Sequence, residues 1–273
     1  MYRVRKVLNN NAILVIDPKK MQEIIFIGTG IGFNKKTNME IKIDEKNTTK
    51  YIQAPGVDIT SQISKNNPIY LEIADAIIQD AKKYFTDFDE NILLTLSDHI
   101  AFAIKRITNN MIINNPFKNE ARLLFPEEYQ VACNAKKYIQ ESCNILVNDD
   151  EISYITIHLH SARTDEKVAQ SMMLITMVNE SIAEIEKTLK LAIDVNSLAY
   201  SRLLTHIKYL VARSKLQEKI HIDMNEYTKN AFPTSYLIAT NIIKKLIKGL
   251  SLKIDDIEIG YLALHIERIC NNN

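Results

Sequence analysis

The side chains with the clearest chemical capacity in this sequence are its histidines. Four of the six form two pairs at a single offset of 107 residues, His99 with His206 and His158 with His265. His160 and His221 have no counterpart, because the same offset sets Glu267 and Asn114 opposite them. An imidazole nitrogen can ligate a metal, relay a proton or carry a phosphoryl group. Metal ligation would need convergent donors, yet there is no HExxH or HxxxH spacing and no CxxC pair among Cys133, Cys143 and Cys270. Proton relay in an enzyme would need a glycine-lined substrate loop beside the pairs, and none is present, so neither a catalytic residue nor a cofactor is expected. Reversible phosphorylation remains. It requires a neutral, accessible ring, and Arg106 and Arg213 lie at hand to receive the added charge. A histidine on an apolar helix face is otherwise a core residue bound to a backbone carbonyl, but two kept in each half of a repeat argue against that.

The repeat extends well beyond the histidines. With the offset held, DHIAFAIKR (98–106) lies over THIKYLVAR (205–213), and Phe125-Pro126 falls on Phe232-Pro233. EISYITIH (151–158) falls on EIGYLALH (258–265) without a gap. Three separated blocks in one register indicate a duplicated domain.

The elements that must position these residues are helical. Ile92, Leu96, His99, Ala103 and Ile107 recur every three or four residues, which is one helix face, and Arg106 follows His99 two turns on. In EISYITIHLH, Ile152, Ile155 and Leu159 share a face with Tyr154 and His158 on its flank. Pro116, Pro126 and Pro233 punctuate the helices, the last two just before or inside a first turn. Each copy is expected to be a compact all-α bundle.

The first 57 residues differ. RVRKVLNNNAILVID is rich in β-branched residues around an Asn triplet, EIIFIGTGIGF is apolar and broken by glycines, and IKID and TKYIQ add short strand candidates. This predicts a small all-β domain with so little core that it dimerises. APGVDITSQIS (54–64) reads as a linker. The domain holds ten Lys/Arg against five acids, so a net charge of +1 for the whole chain hides +5 in this head and −4 in the remainder. A basic head suits a polyanion. Gly28 to Phe33 lack the GxGxxG spacing of a dinucleotide loop. They read either as a glycine bend in a strand or as backbone brought close to nucleic acid, with Phe33 stacking on an unpaired base and Lys35 and Lys36 on phosphates. Asn9, Asn10 and Asn11 offer amides to base edges.

The succession KVLNNNAILV, GTGIGFNKK and two copies of DHI/THI…FP…Y…EI-x-Y-x-x-x-H resembles the BglG/SacY-type transcriptional antiterminators, most nearly the members that control glucose permease operons. The resemblance implies a co-antiterminator RNA-binding domain over 1–57 and two phosphotransferase-system regulation domains (PRDs) over 66–170 and 171–273. It implies RNA contacts from Lys6, Asn9, Asn11, Gly28, Gly30 and Phe33, and phosphorylation of His99, His158, His206 and His265. The phosphate donors would be the phosphocarrier HPr and a sugar permease, enzyme II. The active form would be a homodimer on a leader-RNA hairpin, preventing a terminator from forming in a glucose or related sugar permease operon. Thr29 departs from the pattern, since many members carry a basic residue between the two glycines.

Two other functional classes suit the residues less well. A DNA-binding regulator would need a helix-turn-helix head, which the strand-like first 57 residues do not suit, and an enzyme using paired histidines lacks a substrate loop. The chain has no run of ~18 apolar residues and no signal-peptide pattern, so a cytoplasmic protein with no membrane insertion is expected.

Overall fold

The computed structural model describes residues 1–52, 67–111, 115, 118–164 and 167–271. The expected linker 54–64 and Pro116 lie outside the described residues. Five strands come first: β1 (Tyr2–Val7), β2 (Ala12–Asp17), β3 (Gln22–Ile27), β4 (Glu40–Ile41) and β5 (Thr49–Ile52). They form one antiparallel sheet in the order β4-β1-β2-β3-β5. Its centre is β2, AILVID, whose first four residues are buried, as a strand covered on both faces must be. Val4, Ile13, Val15, Ile24, Phe26 and Ile41 make an apolar core on one face. The pairing of β1 with β2 shifts register between Val4 and Lys6, so Arg5 sits at a bulge.

Eleven α-helices follow among the described residues. They are α1 (Ile69–Tyr84), α2 (Leu93–Thr108), α3 (Lys118–Leu124), α4 (Pro126–Ala132), α5 (Ala135–Cys143), α6 (Asp149–Thr164), α7 (Val168–Leu189), α8 (Leu198–Leu216), α9 (Asn225–Ala231), α10 (Pro233–Leu250) and α11 (Ile257–Cys270). Pro126 and Pro233 each occupy the first helical position of their helix, where the missing N–H costs nothing and the fixed φ suits the turn. The Ser197 hydroxyl caps α8 by accepting from the Tyr200 N–H, and Asp149, Asp150 and Glu151 crowd the positive end of α6.

The chain forms two compact units. The first comprises Met1–Asn115 and Glu127–Glu166. In it the second face of the sheet (Ala12, Leu14, Ile25, Ile27, Tyr51) joins the buried face of α1 (Leu71, Ala74, Ile78) in a continuous apolar cluster that runs on into α2 and α6. The small core expected of the head is thus extended by α1 of the same chain. The second unit comprises Pro116–Pro126 and Lys167–Asn273. Its core includes Leu203, Ile207, Leu210, Ile242, Leu246, Leu262 and Ile266, all at most 1% exposed. Helix α3 belongs to it, and the buried Tyr200 hydroxyl donates to Glu120 of α3.

Candidate functional site

In the first unit α2 carries His99 and α6 carries His158. Packed together, the two helices bring the rings to 5.2 Å between centroids, tilted by 42°. Beside them Arg106, two turns along α2 from His99, grips Glu151 at the start of α6 with both Nε (3.0 Å) and Nη2 (2.6 Å). The Glu151 residue is only 2% exposed, so this bidentate pair compensates a buried carboxylate. The Nε2 of His99 lies 3.7 Å from Glu151 Oε2, and Tyr154 stands 5.5 Å from the His99 ring.

The second unit repeats the arrangement with α8 and α11. His206 and His265 stack at 4.6 Å and 30°. Arg213 holds Glu258 through Nε (2.8 Å) and Nη2 (2.9 Å), His206 Nε2 lies 3.6 Å from Glu258 Oε2, and Tyr261 is 6.4 Å from the His206 ring. Every one of these residues sits at the 107-residue offset from its counterpart.

In all four rings one nitrogen is buried and makes no hydrogen bond within the described residues: Nε2 of His99 and His206, Nδ1 of His158 and His265. Burial, reinforced by the neighbouring His158 and Arg106, holds the His99 imidazolium down to a pKa of about 3. Burial lowers His158 to about 4. Burial, His265 and Arg213 lower His206 to about 3, and burial with Arg268 and Arg202 lowers His265 to about 4. All four are therefore neutral near pH 7, the form in which an imidazole nitrogen keeps a lone pair for attack on phosphorus. The unpaired histidines are placed otherwise. His160 Nδ1 meets the buried Glu128 at 3.1 Å, and His221 is exposed. No cluster among the described residues could hold a metal ion.

The arginine–glutamate clamps differ from the sequence expectation. Arg106 and Arg213 stand near the histidines, but their guanidinium edges are already engaged. The signal was available, since Glu151 and Glu258 share the repeat register, but a contact across 45 residues has no local periodicity to reveal it.

In the sheet domain, Asn9, Asn11, Gly28 and Gly30 converge. The Gly28 N–H donates to the Asn11 carbonyl (2.8 Å) and the Gly32 N–H to the Asn10 carbonyl (2.9 Å), while the Gly30 N–H donates to Asn11 Oδ1 at 2.9 Å. Gly30 has φ of +72°, a region open to glycine without strain. Gly32, which sequence reasoning did not single out, is equally constrained: a Cβ there would lie 2.0 Å from the Asn9 carbonyl oxygen. Phe33, at the end of this loop, is 62% exposed. Lys6 lines a cleft of about 360 Å³ with Arg3, Arg5, Thr37 and Asn38.

Comparison with known families matches the CAT RNA binding domain to residues 2–52 and the PRD domain twice, to 72–162 and 179–269. The chain belongs to the family of CAT–PRD proteins. It is 33% identical over its whole length to the "GlcA/glcB genes antiterminator" of Staphylococcus carnosus, covering 97% of that protein. It is likewise 33% identical to "Protein GlcT" of Staphylococcus haemolyticus, over 97% of this chain and 95% of that one. Among solved structures, "Crystal structure of GlcT CAT-PRDI" matches 60% of this chain and 98% of that chain at a TM-score of 0.51 and 33% identity. The sheet is thus the CAT domain, and the two copies of the histidine site lie one in each PRD. No helix among the described residues is long and apolar enough to cross a membrane.

Proposed function

We propose that the protein is a sugar-responsive transcriptional antiterminator whose CAT domain binds a leader-RNA hairpin and whose PRDs are controlled by reversible histidine phosphorylation from the phosphotransferase system. The observation that carries this reading is the twice-repeated pair of neutral histidines beside an arginine–glutamate clamp, inside a protein that begins with an RNA-binding sheet. The rings are less accessible than the sequence reading asks, so a donor reaches the buried nitrogens only when the paired helices part. The acceptors are His99 and His158 in the first PRD (66–170) and His206 and His265 in the second (171–273). HPr and a sugar permease enzyme II are the donors. The likeness to antiterminators of glucose-type genes makes a glucose or related permease operon the target. The RNA contacts are Lys6, Asn9, Asn11, Gly28, Gly30 and Phe33 within 1–57, and the active species is a homodimer.

The geometry supports a way for phosphate to act. In the transfer, a neutral ring nitrogen forms the new N–P bond as the donor's own bond to phosphorus breaks and the donor side chain leaves with the electron pair. If Nε2 of His99 is the acceptor, the phosphate arrives beside Glu151, and two anions then compete for Arg106. A phosphate of charge about −2 is a strong acceptor for the guanidinium and repels the carboxylate, and this competition is what would loosen the clamp joining α2 to α6.

The test is incubation with phosphoenolpyruvate, enzyme I and HPr, with and without permease, followed by peptide mapping of acid-labile phosphate. Label is expected on the four paired histidines. Label on His160 or His221 in their place would overturn the assignment. For the RNA side, full-length protein should bind a hairpin transcribed from the leader of its neighbouring sugar-transport gene. Phe33→Ala should weaken binding by about 1–3 kcal/mol if the ring stacks on a base.

A further inference from the structure

The Asn9–Asn11 turn has a property that the identity of its residues does not reveal. An asparagine amide offers both a donor and an acceptor, but here both acceptors are already used. The Asn11 N–H donates to Asn9 Oδ1 at 2.9 Å and the Gly30 N–H donates to Asn11 Oδ1 at 2.9 Å. Because backbone N–H groups can only donate, these bonds fix which end of each amide turns outward. The two Nδ2 groups face away from the loop, and both donate to one carboxylate. Asn9 Nδ2 reaches Glu72 Oε1 at 2.5 Å and Asn11 Nδ2 reaches Glu72 Oε2 at 3.0 Å.

Glu72 lies in the first turn of α1. One turn further, Asp75 accepts from the Tyr51 hydroxyl of β5 at 2.6 Å. Neither acid is a requirement of the helical fold. The two PRD matches begin at residues 72 and 179, and the positions equivalent to Glu72 and Asp75 in the second copy are Asn179 and Ile182. The copy that packs on the sheet has the carboxylates, and the other does not.

We infer that the Asn9–Asn11 turn is a donor-only reader of RNA, selecting a feature that presents two adjacent acceptor atoms, and that Glu72 occupies this seat until RNA displaces it. The inference rests on the RNA-binding reading of the CAT domain. The pair is supplied by the N7/O6 edge of guanine or by the non-bridging oxygens of a phosphate, each of which matches a carboxylate in offering two adjacent acceptors. An adenine edge, which needs a donor and an acceptor from the same amide, does not fit. Glu72 and RNA are alternatives for one pair of donors, so α1 sets how available the CAT domain is.

The test measures binding of full-length, unphosphorylated protein to the leader hairpin described above. Glu72→Ala is expected to tighten binding about tenfold, within the usual range for coupling between two sites. Glu72→Gln should tighten it less, because a glutamine can still accept one of the two bonds. In an Asn11→Ala background, the gain from Glu72→Ala should shrink to about threefold or less, as expected for coupled residues. A general electrostatic effect of removing an acid would leave the gain unchanged, and that result would overturn the inference. So would wild-type affinity in both Glu72 variants when their thermal melts match the parent. Failure of every version, wild type included, to bind any hairpin would bring down the RNA reading itself. Hairpins carrying 7-deazaguanosine or methylphosphonate linkages identify the acceptor pair: the gain disappears with the first if a guanine edge is read, and with the second if a phosphate is. A gain that survives both substitutions refutes the acceptor-pair assignment.

Discussion

The two PRDs keep one constellation and diverge in another, and the difference separates what the fold conserves from what each copy does. At the histidine pair, His, His, Glu, Arg and Tyr recur at one offset with the same bidentate clamp. At the far end of the same helices the copies part. The first has His160 on buried Glu128, with Arg163 over the Phe85 ring at 4.6 Å. The offset places Glu267, Ser235 and Cys270 at the positions of His160, Glu128 and Arg163, and in the second copy the Ser235 hydroxyl donates to Glu267 at 2.8 Å. The contacts that His160 and Arg163 make to Glu128 are replaced by different, uncharged-donor contacts around Ser235 while the clamp is kept in both copies, so the clamp is tied to the histidines rather than to stability alone.

The largest expected effect tests whether the clamps are equivalent. Arg106→Ala strands a buried Glu151, and Arg213→Ala strands Glu258. Each should destabilise its unit by about 3–5 kcal/mol, measured by urea unfolding with hydrogen exchange to resolve the units. A loss confined to one copy would break the equivalence. Next comes acid. The folded-state pKa values of the four histidines lie below that of an unfolded histidine, so the unfolded chain binds more protons. Their contribution is complete above about pH 6.5 and is lost as pH falls toward about 4 for His158 and His265 and about 3 for His99 and His206. At roughly 1.4 kcal/mol per ring per pH unit, the first copy should lose about 3 kcal/mol by pH 5.5, and the second less, because His265 is the most exposed of the four rings and solvent screens it. His158→Gln and His265→Gln should each flatten the slope in their own copy, and an unchanged slope would show that other groups carry it.

How the sequence foretold these features follows from the distances involved. The helices were legible because their apolar residues repeat every three or four positions. The histidine pairs were legible because the duplication runs without a gap through His99, His158, His206 and His265. The clamps and the Glu72 bonds join residues that only folding brings together, and nothing local marks Glu72 as a partner of Asn9. The glycine loop was readable in part. Gly30 shows its need for φ above zero, whereas the demand on Gly32 arises from the approach of the Asn9 carbonyl.

The copies should also differ in regulatory sign. His99→Ala is expected to give read-through without sugar in a terminator–reporter strain, a change of about 5–150-fold if coupling is about 1–3 kcal/mol. His206→Ala should leave read-through unchanged or lower it. Equal and same-signed effects would remove the functional distinction between the PRDs. The smallest effect concerns the divergent end. Arg163→Ala removes the contact with Phe85 and one of the two partners of the buried Glu128 carboxylate, leaving His160, and should cost about 1 kcal/mol without altering the labelling of His158.

The placement of α3 bears on the order in which the protein is made. The second unit takes Pro116–Pro126 from the middle of the first unit's sequence. The whole first unit, sheet included, therefore emerges from the ribosome before α7 and α8 have emerged to receive α3. Glu120 waits through 80 further residues for the Tyr200 hydroxyl, or about 4–16 seconds at usual elongation rates. The CAT domain is thus complete on the nascent chain while the second PRD is still unfinished, and a fragment beginning at residue 171 would lack a helix of the unit it was cut to contain.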